Sequence, residues 1–199
     1  NIGEAHTSLD TTDEALGQVG ETLNRVHELT VQAANDTNTS EDRQKIDEEI
    51  KQIKEQLRDL ANTKVGDNYI FSGTHTNEPL YKDDELNTAV TSGAIKSFKL
   101  NVFDGISIQV NTPGKEIFEK VDKFMGELTG LLSSGATGSD IGAKLGDGAT
   151  TGLGGLYETV LAARAGVGAR QNRIEMMENR LAIQEVNVTK QMSENEDTD

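Results

Sequence analysis

Apolar residues recur along the start of the chain in steps of three and four. From about Ser8 to Ala34 the seam runs Leu9, Thr12, Leu16, Val19, Leu23, Val26, Thr30 and Ala33, the heptad spacing that keeps one stripe of a helix facing a partner. Leu29 widens the stripe into a second face. The pattern resumes at Ile46, Ile50, Ile53, Leu57 and Leu60. Between the two lies Asn35-Asp36-Thr37-Asn38-Thr39, a run of turn and cap residues. Thr39 or Ser40 is placed to cap the second helix, with Glu41 and Asp42 complementing its dipole. Glu41–Lys45 and Asp47–Lys51 follow at the favourable four-residue spacing. A connection this short predicts two antiparallel helices.

The period then changes. Gly66 is the expected C′ residue of the second helix. Tyr69-Ile70-Phe71 reads as a short strand ahead of Ser72-Gly73-Thr74. Phe98, Leu100 and Val102 alternate with Ser97, Lys99 and Asn101, and Ile106, Ile108 and Val110 alternate with Ser107, Gln109 and Asn111. Asp104-Gly105 between them predicts a hairpin, and Pro113-Gly114 closes the β region. A third amphipathic helix carries Ile117, Val121, Phe124, Leu128 and Leu131 on one face, with Phe118, Met125 and Leu132 beside it. From Ser133 to Gly155 the chain is rich in Gly, Ser and Thr and reads as a flexible connection. The last helix starts at Leu153 or Leu156 and runs to near Asn195. Its seam passes through Leu156, Val160, Ala163, Val167, Arg170, Ile174, Met177 and Leu181, then weakens through Gln184 to Val188 and Met192. Some 40 helical residues would make a rod about 60 Å long.

The predicted fold is mainly α with a small β insertion: an elongated helical bundle plus a β-rich knob. The segments are a helical hairpin over 1–68, a β-rich inserted domain over 69–113, an amphipathic helix and Gly/Ser-rich connection over 114–152, and the long helix over 153–199. The first, second and last helices are expected to form the bundle, with the third lying along it.

Composition agrees with thin packing, since only 34% of the 199 residues are hydrophobic and 4% aromatic. A net charge of −15 repels phosphate, which argues against nucleic acid and acidic membranes as partners. No apolar run reaches the ~20 residues that span a bilayer. The absence of cysteine removes disulfides, thiolate zinc sites and thiol catalysis together.

The candidate chemistry is sparse. His6, His27 and His75 lie far apart and form no helical metal pair. Gly146-Asp147-Gly148 and Gly152-Leu153-Gly154-Gly155 lack the Lys-Ser/Thr and the preceding strand of a phosphate loop, so they read as linker. Asn35-Asp36-Thr37, Asn38-Thr39-Ser40 and Asn187-Val188-Thr189 match the glycosylation triplet, a pattern common by chance. Arg170 on the last seam has two readings: it snorkels, or it pairs with an acid across a helix or a subunit boundary. No catalytic, cofactor-binding or metal-binding set is expected, and an enzyme is the weakest reading.

The stretch LNRVHELTVQAANDTNTSEDRQKIDEEI, Leu23 to Ile50, resembles the N-terminal helical hairpin of bacterial flagellins and their hook-associated relatives. GARQNRIE, Gly168 to Glu175, and the final SENEDTD resemble the C-terminal helix of the same superfamily. LDTTDEAL, Leu9 to Leu16, and VGDNYIFSGTHTNEPLY, Val65 to Tyr81, look like the hook–filament junction family, hook-associated protein 3, rather than flagellin itself. The short β insertion points the same way. Measured against that family, the chain looks like a central fragment without the two terminal segments.

The resemblance implies a structural protein of the flagellum, extracellular and exported by the flagellar type III apparatus. It also implies the partners: neighbouring copies of itself, flagellin and hook-associated protein 1 in the assembled flagellum, and a flagellar export chaperone before secretion. No cofactor is implied. Arg25, Leu29 and Glu49 match flagellin positions on a helical face that contacts neighbouring subunits and, in some flagellins, an animal innate receptor. The plain alternative makes Arg25 and Glu49 surface charges and Leu29 core. A flagellin subunit and a secreted coiled-coil interaction protein are the rival functions.

Overall fold

The computed structural model describes residues 2–92, 99–103, 105–146 and 152–197. Helix α1 spans Ile2–Ala33 and α2 spans Ser40–Ala61. All of the seam positions from Leu9 to Ala33 are buried. The helix begins a turn or two before Ser8, because Ala5, fully buried, carries the stripe further back. The seam tolerates threonine because each hydroxyl is satisfied within the helix. Thr12 donates to the Ser8 carbonyl and Thr30 to the Val26 carbonyl, both at 2.7 Å.

Thr39 caps α2. Its hydroxyl accepts from the Asp42 backbone N–H at 3.1 Å, while the Asp42 carboxylate accepts from the Thr39 N–H at 3.0 Å. That backbone donor holds the Asp42 carboxyl below its ordinary value of 3.8. A lowered folded-state pKa means the contribution is complete above the unfolded value and fades as pH falls through the folded one. Thr39→Ala is expected to cost about 1 kcal/mol, and Asp42→Asn, which removes the titrating carboxyl, to flatten the acid limb of the stability profile. Thermal melts taken from neutral to acid pH on the parent and both variants check both parts.

Two expectations are corrected at the end of α2. The helix stops at Ala61 with Asn62 as its cap, and Gly66 is not the C′ residue. Asn62 leaves the helix because its side chain behaves like a strand partner. It accepts from the Tyr81 N–H and donates to the Tyr81 carbonyl, each at 2.9 Å. Gly66, at φ +60, instead turns the chain between β1 (Lys64–Val65) and β2 (Asn68–Tyr69), a left-handed conformation glycine adopts freely. The expected strand Tyr69–Phe71 shrinks to its first residue plus Asn68. Ile70 and Phe71 leave the ladder because they are core side chains, 5% and 1% exposed.

Strands β3 (Tyr81–Lys82) and β4 (Glu85–Leu86) form a second small hairpin, followed by the single turn α3 (Thr88–Thr91). Strands β5 (Lys99–Phe103) and β6 (Ile106–Gln109) pair antiparallel with Leu100 opposite Ile108, the hairpin read from the alternation. Ser97, Phe98 and the Asp104 of the expected turn lie outside the described residues.

Helix α4 (Lys115–Ser133) buries Ile117, Phe118, Val121, Phe124, Met125, Leu128 and Leu132, and leaves Leu131 half-buried. The connection after it is not simply flexible where it is described. It holds a short helix α5 (Gly138–Gly142) and a 3-10 turn, Ala143–Leu145. Thr137 caps α5, the Gly138 N–H donates to Asp36 at 2.7 Å, and Ile141 is fully buried. The segment is further tied by the Arg43 hydrogen bond to the Ala136 carbonyl and by the Lys144–Glu127 ion pair. Asp147 and Gly148 of the glycine-rich run lie outside the described residues.

Helix α6 (Leu153–Asp197, 45 residues) is about 68 Å long at 1.5 Å per residue. It runs antiparallel to α1. Tyr157 donates to the Gly20 carbonyl at 2.9 Å, Arg164 meets Asp13 at 2.9 Å, Gln171 donates to Asp10 at 2.9 Å, and His6 meets Glu178 at 2.9 Å. Helix α2 packs on α1 and α4, and α4 packs back on α6. The architecture is therefore the helical bundle with small β hairpins that the periodicity predicts.

Candidate contact surface

Arg25 and Glu49 meet across the helical hairpin. The Arg25 Nε donates to Glu49 Oε1 at 2.8 Å, its Nη2 reaches the same oxygen at 2.7 Å, and its Nη1 donates to Glu28 at 2.9 Å. The bonds to Glu28 and Glu49, in that order, raise the Arg25 pKa above its ordinary value, so the guanidinium stays charged. With side chains 44%, 43% and 65% exposed, Arg25, Glu49 and Glu28 form a solvated cluster whose ion pairs are worth little to folding. Glu28 is the member the sequence reading missed, although its spacing of three residues from Arg25 on one helix was legible.

Leu29 does not belong to this surface. It is 1% exposed and sits in the core of the bundle. The second face it adds to α1 is an inward one, because α1 is covered by α6 on one side and α2 on another. Leu29 thus takes the core position of the plain alternative, and it is not among the accessible residues of the hairpin face. Arg25 and Glu49 remain accessible.

Arg170 takes neither of the two expected forms in full. Its Nη2 donates to the Thr112 hydroxyl at 2.8 Å, a neutral partner from the segment after β6, and its buried Nε is without a hydrogen-bond partner. Burial pulls its pKa below the ordinary value. His27 and His75 are exposed, while His6 lies between Asp10 and Glu178. Among the described residues no group of three His, Cys, Asp or Glu side chains is arranged to hold a metal. No described helix is long and apolar enough to cross a membrane.

An open cleft of about 630 Å³ lies at the loop end of the hairpin and brings Asp36, Arg43 and Asp47 beside Leu132. Each has a structural tie: Asp36 accepts from Gly138, Arg43 donates to the Ala136 carbonyl, and Asp47 holds Lys51. The first two ties fix loops in place, and the third lies within α2.

Residues 1–76 match the model of the bacterial flagellin N-terminal helical region. The chain is 24% identical over 209 residues to flagellar hook-associated protein 3 of Escherichia coli (strain K12), a likeness covering 94% of this chain and 65% of that protein. It therefore spans about two thirds of the length of that curated relative. A flagellin of Clostridium tyrobutyricum is 28% identical over 112 residues, covering 54% of this chain and 30% of that one. The fold matches the crystal structure of Bacillus cereus FlgL with a TM-score of 0.76, at 24% identity, over 94% of this chain and 88% of that one. The flagellin hairpin model thus matches one end of the chain, and the likeness to a hook-associated protein 3 runs over almost all of it.

Proposed function

We propose that the chain is a structural part of the bacterial flagellum and joins hook to filament. One observation carries the choice between this and a filament subunit. The likeness to hook-associated protein 3 extends over 94% of the chain, β hairpins included, whereas the likeness to the flagellin covers 54%. A thin bundle with a charged, accessible hairpin face suits a subunit that is held on several sides by others. Its partners in this reading are neighbouring copies of itself, hook-associated protein 1 on the hook side and flagellin on the filament side. A flagellar export chaperone would hold it before secretion through the type III apparatus. The solvated Arg25–Glu28–Glu49 cluster is the proposed subunit contact on the hairpin.

The test is genetic and biochemical. Deleting the gene should leave hooks on the cell, release flagellin into the medium and abolish swimming, and the full-length product should co-purify with hooks. Filaments of normal length on the deletion strain would refute the junction role.

A further inference from the structure

Helix α6 has two faces of opposite character, and only one is used. Val160, Val167 and Ile174 point into the bundle and are buried. On the far side, half a turn away at 100° per residue, lie Ala165, Ala169, Asn172, Met176, Asn179 and Ile183. All six are exposed, Met176 at 68% and Ile183 at 62%. Their spacing alternates four and three, a second heptad seam. None of the six is charged, in a chain of which 27% is charged. A solvent-facing helix surface ordinarily carries its charges there. This one carries them at the edge, where Arg173 and Arg180 stand one heptad apart. Neither arginine forms an ion pair among the described residues, though the molecule carries a large excess of acid.

The solvent face of α1 offers the matching pattern. Glu14 and Glu21 also stand one heptad apart, both exposed, with Gln18 between them and no ion pair among the described residues. Seven residues of helix are about 10.5 Å, so two acids on one helix and two arginines on another can pair in register along antiparallel axes. Although α1 and α6 pack together, the acidic ridge and the uncharged seam are both exposed, so these two faces meet only between copies. Such a contact is heterologous: each copy offers one face and receives on the other, the kind of contact that builds rings or helical arrays rather than closed pairs.

We infer that the outer face of α6 docks on the Glu14–Glu21 ridge of α1 in a second copy of this chain, with Arg173 and Arg180 setting the register. The inference rests on the junction reading and adds the specific lateral surface. The chain has no cysteine, so introduced ones report unambiguously. Full-length genes carrying Met176→Cys, Gln18→Cys or both are expressed in the deletion strain, and isolated hooks and flagella are oxidised and probed for this protein.

The double variant should give a ladder of cross-linked copies, and each single variant should give essentially none. Adding Arg173→Glu and Arg180→Glu should reduce the ladder at least tenfold, and Glu14→Arg with Glu21→Arg in the same protein should restore it. These side chains are exposed, so the helical melts of the charge variants should match the parent. Homodimers from Met176→Cys alone would overturn the inference in favour of α6 pairing with itself. A cross-link to a different protein would overturn it in favour of a foreign partner. No ladder from protein that does sit on the hook would overturn it while leaving the junction role intact. Protein absent from hooks would defeat both.

Discussion

Replacing Leu57 by alanine is expected to destabilise the chain by about 2–5 kcal/mol, the usual range for truncating a buried leucine. Leu57 is 1% exposed and lies on the α2 face that packs against α1 and α4. The loss combines the transfer of its methyl groups with the cavity left behind, and two flanking helices cannot both close on the gap. Against a total stability of roughly 5–15 kcal/mol for a domain of ordinary size, one such loss is a large share. Arg25→Ala should leave the melt nearly unchanged, since its cluster is solvated and screened. Thermal and urea melts of the two variants side by side provide the measurement. An Arg25 variant as unstable as the Leu57 one would put the cluster into the folding core and remove it from the proposed contact surface. If Arg25 matters to the organism, the effect should appear in hook association of the full-length protein.

The difference between Leu57 and Leu29 shows where the sequence was readable. Heptad spacing says which residues share a stripe, and every seam residue of α1 is buried accordingly. It cannot say whether a second stripe on the same helix faces solvent, a neighbouring copy or another part of the chain. Leu29 is inward because α1 is central, a fact of tertiary packing that no local period contains. The converse holds on α6, where the inner seam was legible and the outer one went unread because none of the described residues covers it. Short elements failed for a different reason. Gly66 and Asn62 both suit a helix end, and only the two hydrogen bonds from Asn62 to Tyr81 decide between them. Likewise Ile141 orders α5 by burial in a stretch whose Gly, Ser and Thr content says flexible. The Arg25–Glu49 pair needed the antiparallel hairpin, which the short loop implied, and the resemblance that singled out both residues. Its third member, Glu28, needed only helical spacing.

Phe118→Ala should be the more damaging change, costing about 3–5 kcal/mol. Phe118 is fully buried on α4, with its ring centre 5.3 Å from Phe71 and 6.5 Å from Tyr81, both edge-on. The Tyr81 hydroxyl donates to the Phe118 carbonyl at 3.1 Å. Gly114 packs directly on the cluster: a Cβ there would lie 2.7 Å from Phe71 Cβ, closer than packing allows, and a tight 3.0 Å from Phe118 Cδ2. These three rings join the hairpins after α2 to α4, so removing the middle one should loosen the attachment as well as the core. Burial, with a smaller push from the Asp122 carboxylate, raises the Tyr81 phenol well above its ordinary 10.0. Because the unfolded phenol ionises first, stability should fall as pH rises past about 10. In Tyr81→Phe that alkaline decline should be shallower, while neutral-pH stability drops by about 1 kcal/mol for the lost hydrogen bond. Urea melts at neutral and alkaline pH, with near-ultraviolet dichroism as the tyrosine signal, separate the two effects. The chain has no tryptophan to obscure that signal. A Phe118→Ala protein that melts like the parent would mean the aromatic cluster does not hold the β hairpins to the bundle.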